Sequence, residues 1–184
     1  MARYKIVDID EENFELIPSP ASRYFSCQEC FYWIGKKDGR LDQKQQKRKW
    51  FLKKGSLYGS LGKLLFPDSK AKEAAAFTQF APVQEMSTAK LLYFKERINL
   101  PKDGWCITCL TVQKPWRKQG VARSLVQSVL RDLKKRGVTT VDAYPSLKNV
   151  NLSQAPAGPV DLWLALGFKV LNPDSSTPIV RKKL

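Results

Sequence analysis

Histidine is absent from the 184 residues, and that absence removes several chemistries at once. No imidazole is available as a general base, as part of a Ser-His-Asp triad or as a metal ligand. Long apolar runs are missing too: no stretch approaches the roughly 18 consecutive apolar residues of a membrane span. The opening Met1-Ala2-Arg3-Tyr4-Lys5 lacks the apolar core of a secretory signal. A soluble, cytoplasmic chain with no membrane partner is therefore expected. Internal repeats and low-complexity linkers are lacking, so one domain over 1–184 is expected, within the usual span of roughly 100–200 residues. Acidic residues are few, 17 against 32 Lys and Arg, giving a net charge of +15. A field of that sign attracts polyanions, whether nucleic acid, anionic lipid or a phosphorylated ligand, without choosing among them.

What cysteine there is comes as two CxxC pairs, Cys27/Cys30 and Cys106/Cys109. Paired CxxC spacing invites a four-thiolate zinc site. The second pair, however, lies in Trp105-Cys106-Ile107-Thr108-Cys109-Leu110-Thr111-Val112, which reads as a strand. Residues three apart on a regular strand point to opposite faces and share a metal poorly, so buried free thiols are expected and no metal is assigned. Cys27 and Cys30 precede Phe31-Tyr32-Trp33 and remain open as core thiols, a redox pair or half a metal site.

The elements read as mixed α and β. Tyr4-Lys5-Ile6-Val7 alternates as a first strand. From Gln28 to Lys54 the pattern suggests helix in two pieces, parted at Lys36-Lys37-Asp38-Gly39. Gly59–Phe66 and Ala74–Phe80 read as a hairpin through Pro67-Asp68-Ser69-Lys70, and Pro82–Leu100 is ambiguous. After the strand at 105–112 comes the clearest helix, starting near Gln119. Its Val121, Ala122, Leu125, Val126, Val129, Leu130 and Leu133 form one apolar stripe. Lys134, Lys135 and Arg136 suit the negative end of its dipole and Gly137 ends it. Val138–Tyr144 is the next strand, Val160–Leu166 a short helix, and Phe168–Leu171 and Pro178–Leu184 the last strands.

The chemistry sits in the turn between the strand at 105–112 and the long helix. A helix N-terminus leaves its first N–H groups unpaired, and its dipole favours negative charge. Gly120 lets a diphosphate approach the backbone, Ala122 is nearly as small, and Arg117 offers a charge-assisted hydrogen bond. Arg-x-x-Gly-x-Ala alone is a weak pattern; the flanking strand and amphipathic helix give it weight.

In that context the sequence resembles the GNAT superfamily of N-acetyltransferases. Leu110-Thr111-Val112 before Arg117 matches the family's strand ending and phosphate turn. Leu162-Trp163-Leu164-Ala165-Leu166-Gly167-Phe168 matches its short helix ending in Gly-Phe. The resemblance is specific over 105–171 and follows element order elsewhere. It implies an α+β fold with a mixed sheet of six to seven strands and flanking helices, splayed between the strands at 105–112 and 138–144. It implies acetyl-CoA as acyl donor and a primary amine as acceptor, with direct attack on the thioester. The cofactor would lie on Leu110, Thr111, Val112, Arg117, Lys118, Gln119, Gly120, Val121, Ala122 and Arg123. One backbone amide near Val112 would polarise the carbonyl. Residues 1–70 would supply the acceptor side and 105–171 the cofactor-binding core.

The resemblance breaks at the general acid. The family's frequent Tyr in the short helix is Trp163 here, and its frequent Asn is Pro156; an indole N–H is no useful acid near neutral pH. Tyr144 is the nearby phenol that remains as a candidate acid. Asp142 and Glu85 are the candidate bases, each also readable as a solvated or lysine-paired carboxylate. Thr108 and Cys109 are placed to touch the acyl group, though a strand thiol also suits a core. Phe25, Phe31, Tyr32, Trp33, Trp50 and Phe51 would line an acceptor pocket or simply fill a core. Two rivals remain. Nine Lys or Arg between Lys36 and Lys54, with Trp50 among them, suit a nucleic-acid- or ribosome-associated basic protein making contact through Lys47, Arg48 and Lys49, though a solvated helix face explains them more simply. An acyl-CoA-binding sensor without activity fits Trp163. A homodimer is left open.

Overall fold

The computed structural model describes residues 4–19, 26–35, 37–147 and 157–184. Seven strands form one sheet: β1 (Lys5–Asp8), β2 (Gly62–Phe66), β3 (Ala76–Pro82), β4 (Trp105–Val112), β5 (Thr140–Ala143), β6 (Lys169–Val170) and β7 (Val180–Lys183). Their spatial order is β1-β2-β3-β4-β5-β7-β6. The first four strands pair antiparallel, β4 and β5 pair parallel, and β5, β7 and β6 are again antiparallel. Parallel neighbours need a crossover, and here it is α3 (Val121–Lys135).

The apolar stripe of α3 does what its spacing predicts. Val121, Leu125, Val126, Val129, Leu130 and Leu133 are all buried, each stabilising by about 1.5–3 kcal/mol over an exposed position. Gly137 at φ 79° ends the helix, with Gly137 N–H on Lys134 O and Val138 N–H on Leu133 O. A charged patch fastens α3 to β2: Lys63 meets Asp132 at 3.0 Å and also pairs with Asp8, while Arg136 clasps Asp132.

The opposite face of the sheet carries α1 (Gln43–Tyr58) and α2 (Ser87–Lys95). Asp42 caps α1 by accepting the Gln45 N–H at 2.7 Å. The expected hairpin is β2–β3, and the ambiguous segment 82–100 resolves into a short 3₁₀ turn and α2. The helix expected from Gln28 is not there: residues 27–29 and 32–34 form turns. The carbonyls of that segment are taken by α2 instead. Thr88 N–H donates to Trp33 O, Ser87 Oγ to Ile34 O and Thr88 Oγ1 to Tyr32 O. The short helix before Gly167 is α4 (Val160–Leu164). No helix among the described residues is long and apolar enough to cross a membrane.

Candidate active site

The site is built on a local fault in β4. Gln79 stands opposite Cys109 and Phe80 opposite Ile107, so Thr108 is an extra residue with no partner on β3. This β-bulge changes the alternation of the strand. It also overturns the expectation that Cys106 and Cys109 face opposite ways. Cys106 lies opposite Ala81 and Cys109 opposite Gln79, so both thiols point to the side of α1 and α2. They remain separate there: Cys106 neighbours Tyr144, whereas Cys109 neighbours Cys27, Cys30 and Lys47. All four cysteines are free thiols, and the described residues contain no group that would hold a metal. Burial pushes the Cys27 thiol up to about 11.

Beyond the bulge β4 loses its second neighbour. Among the described residues it pairs with β5 only at Trp105, Cys106 and Ile107. Gln113 donates its N–H to Ala75 O, so by alternation Thr111 also faces β3, while Leu110 and Val112 present N–H and C=O to the open edge. At the end of that edge the chain turns into α3. Arg117 Nε donates to Val112 O at 3.0 Å, folding the turn back on the strand, so only its Nη groups are left for a phosphate. Lys118 at φ 60° and Gly120 at φ 79° are both left-handed, a pattern that gathers successive N–H groups into an anion-binding nest. No side chain caps α3. A β-carbon on Gly120 would meet no atom within 4 Å, so this backbone is open to approach. Tyr4 Oη donates to Gln119 O and Gln119 Nε2 to Pro115 O, fixing the outer side of the turn.

The three candidate catalytic side chains fall in different surroundings. Asp142, opposite Cys106, is wholly buried. Arg181 donates to both its oxygens at 2.8 Å, and Tyr93 Oη donates to Oδ2. Asp142 is thus an anchor, with no exposed oxygen for an incoming ammonium. Glu85 accepts from Tyr58 Oη and from Lys54 Nζ, each at 2.8 Å. Partial burial works against its charge, but the Lys54 and Tyr58 hydrogen bonds win and hold the carboxyl below the usual range. It lies in the turn after Pro82, which pairs with Trp105 at the start of β4, three residues before the bulge at Thr108. Tyr144 immediately follows β5 where the strands part. It stacks on Trp33, with ring centroids 4.8 Å apart, and its hydroxyl donates to Tyr93 Oη at 3.3 Å. Burial first, and then the neighbouring Cys106 and Tyr93, raise its phenol well above the ordinary tyrosine value. Tyr144, Tyr93, Asp142 and Arg181 therefore form one hydrogen-bonded row. Tyr93 and Arg181 were not legible as site residues, since one lies in the ambiguous segment and the other on the last strand.

Trp163 is fully buried and its indole N–H donates to Ala157 O at 2.7 Å. Pro156 and Phe25 lie outside the described residues. Trp33 and Phe51 are core, and Tyr32 is exposed. The basic helix is a solvated face at Lys49 and Lys53 and a partly exposed one at Lys44, Arg48 and Lys54, with Lys47 as the exception. Lys47 is 2% exposed, Lys44 pairs with Glu15, Arg48 with Glu11 and Lys54 with Glu85. Lys47 is therefore removed from any nucleic-acid surface, because its ammonium is inside the protein.

Sheet order, the parting of β4 from β5 and the uncapped turn beside the opening define an acetyl-CoA-dependent N-acetyltransferase. The chain belongs to the acetyltransferase (GNAT) family, whose sequence profile matches residues 4–158. Solved structures agree on the fold. The PaiA N-acetyltransferase of Thermoplasma acidophilum, in complex with coenzyme A, is 16% identical with a TM-score of 0.56, covering 99% of both chains. A mosquito arylalkylamine N-acetyltransferase-like protein 5b is 13% identical with a TM-score of 0.61, over 99% of this chain and 100% of that one. Ard1 of Thermoplasma volcanium is 12% identical with a TM-score of 0.54, over 100% and 99%. No curated protein matches the chain by sequence.

Proposed function

We propose that acetyl-CoA binds with its pyrophosphate on the N–H groups of Lys118–Arg123 and its pantetheine arm along the open edge of Leu110 and Val112, on either side of Thr111. The thioester then lies where β4 and β5 part, between Thr108 and Tyr144. A primary amine attacks it directly: the nitrogen lone pair forms the C–N bond, the C–S bond breaks, and sulfur leaves as a thiolate. A backbone N–H on the open edge of β4 faces the carbonyl oxygen and stabilises the charge that develops there. The amine gives up its proton to water, and the thiolate takes one from Tyr144. Tyr144, held in place by Tyr93 and the Asp142–Arg181 pair, regains its proton from the water that took the amine's.

The observation that carries this reading is Gly120: left-handed, uncapped and open, beyond a strand edge that has no partner among the described residues. Residues 1–70 bring α1 and the 26–35 turns against the same face and form the acceptor side. The free thiols support a reducing, cytoplasmic setting. The test is thermal unfolding with and without acetyl-CoA, followed by a CoA-release screen over amines, polyamines, aminoglycosides and peptides. A ligand that binds only the native state raises the melting temperature. An unchanged melting temperature at saturating acetyl-CoA defeats the reading; a rise with no CoA release from any amine leaves a sensor rather than an enzyme.

A further inference from the structure

Lys47 is the cation whose position is hardest to explain as fold alone. Its ammonium donates to Cys30 O at 2.6 Å and to Gln79 Oε1 at 2.7 Å. The rings of Phe31, Trp50 and Phe51 surround it at 5.6–5.9 Å. Among the described residues no carboxylate forms an ion pair with it. Burial lowers its pKa from the ordinary lysine value, and burying an ammonium without an anion is costly. A methionine or leucine would fill the same space without that cost.

The contact to Gln79 gives the ammonium a task. Because Oε1 faces Lys47, the other end of the amide is forced toward β4, where Gln79 Nε2 donates to Thr108 Oγ1 at 3.1 Å. Thr108 in turn donates from Oγ1 to Gln79 O at 3.3 Å. The extra residue of the bulge is thus tied on both sides to one glutamine, and that glutamine is oriented by one lysine. All three side chains are buried. The phase of β4 depends on this bulge. Phe80 donates its N–H to Leu61 O, away from β4, so without the extra residue Cys109 and Thr111 would face the open edge in place of Leu110 and Val112.

We propose that Lys47 is a positioning residue for acyl transfer, acting through Gln79 to lock Thr108 in the bulge and so aim the backbone of β4 at the thioester carbonyl. This rests on the cofactor placement above. The pyrophosphate turn lies a further ten or more residues along the chain, so losing Lys47 disturbs the carbonyl contact while cofactor affinity is kept.

The test uses the full chain and acetyl-CoA labelled with carbon-13 at the carbonyl, so no acceptor is needed. Bound to the wild type, the carbonyl resonance is expected to be displaced from its free position by the backbone N–H. Lys47→Met and Gln79→Glu are expected to keep the acetyl-CoA-induced rise in melting temperature and lose most of that displacement. Gln79→Glu still pairs with Lys47, but its carboxylate can only accept from Thr108, so the hydroxyl can no longer bond both the side chain and the carbonyl of residue 79, and it decides the matter if Lys47→Met does not fold. Lys47→Met combined with Thr108→Val is expected to do no more than either alone, as for links of one chain. Lys49→Met, exposed on the same helix, is expected to match the wild type. A wild-type resonance in folded Lys47→Met or Gln79→Glu overturns the proposal. So does a wild type that binds without any displacement, or additive effects in the double variant. A wild type whose melting temperature ignores acetyl-CoA instead defeats the cofactor placement itself, and the proposal with it.

Discussion

The indole of Trp163 donates its N–H to the carbonyl oxygen of Ala157 at 2.7 Å, and both residues are fully buried. Its edge also meets Phe168, with centroids 4.9 Å apart at 83°. At the position where the family often carries an acid, this chain has placed a fastening between α4 and the segment before it. Trp163→Phe removes the donor and strands a buried carbonyl, which costs about 1–3 kcal/mol. Thermal unfolding should show that loss while CoA release per folded molecule stays at the wild-type rate. A drop of two orders of magnitude in rate with little loss of stability would return the acid role to this position.

Tyr144 carries the opposite expectation. Tyr144→Phe keeps the stack on Trp33 and loses only the hydroxyl, so stability should change little. The transfer rate is expected to fall about a hundredfold, the lower range for a lost general acid, with the KM for acetyl-CoA unchanged. The pH profile gives an independent check. A phenol held well above its ordinary value keeps its proton across neutral and mildly alkaline pH, so the wild type should show no alkaline limb below about pH 10. A limb at lower pH that persists in Tyr144→Phe would assign the proton to another group.

These two residues also show what sequence could and could not supply. The strand, turn and helix over 105–136 were legible because each signal there is local: apolar alternation, a glycine at the turn, a stripe at helical spacing. Tyr144 was legible by its place at a strand end. The 26–35 segment was not, because its backbone is satisfied by Ser87 and Thr88, more than fifty residues away. Lys47 looks in the sequence like one basic residue among many, since nothing near it announces Gln79. The bulge at Thr108 leaves no mark in the residue pattern of β4, and it reversed the facing of Cys109 relative to Cys106.

Asp132 provides a prediction about pH and stability. Partial burial raises its carboxyl, but the hydrogen bonds from Arg136 and Lys63 outweigh that and hold it below the usual value. A carboxyl lower in the folded than in the unfolded state contributes stability above the unfolded value, about 3.9. That contribution is lost as pH falls through the folded value. Asp132→Asn should therefore cost about 2 kcal/mol at pH 7, and the gap in melting temperature to the wild type should close below about pH 4. A gap that stays constant to pH 2 would mean that shape, not charge, fastens α3 to β2.

Gly120 and Gly137 stand at the two ends of α3, both at φ 79°, and a β-carbon on either meets nothing within 4 Å. Alanine in a left-handed conformation costs about 1–2 kcal/mol at each, so Gly120→Ala and Gly137→Ala should lower the melting temperature of the free protein alike. Their response to acetyl-CoA should differ. With the pyrophosphate placed as proposed, the new methyl at Gly120 stands against it, whereas at Gly137 it lies a full helix length away. Ligand at a hundred times its Kd adds about 2.7 kcal/mol of stability, and that increment should vanish in Gly120→Ala and survive in Gly137→Ala. Equal loss in both variants would mean that helix stability, and not contact at the turn, governs binding. Equal retention would move the phosphates away from Gly120 altogether.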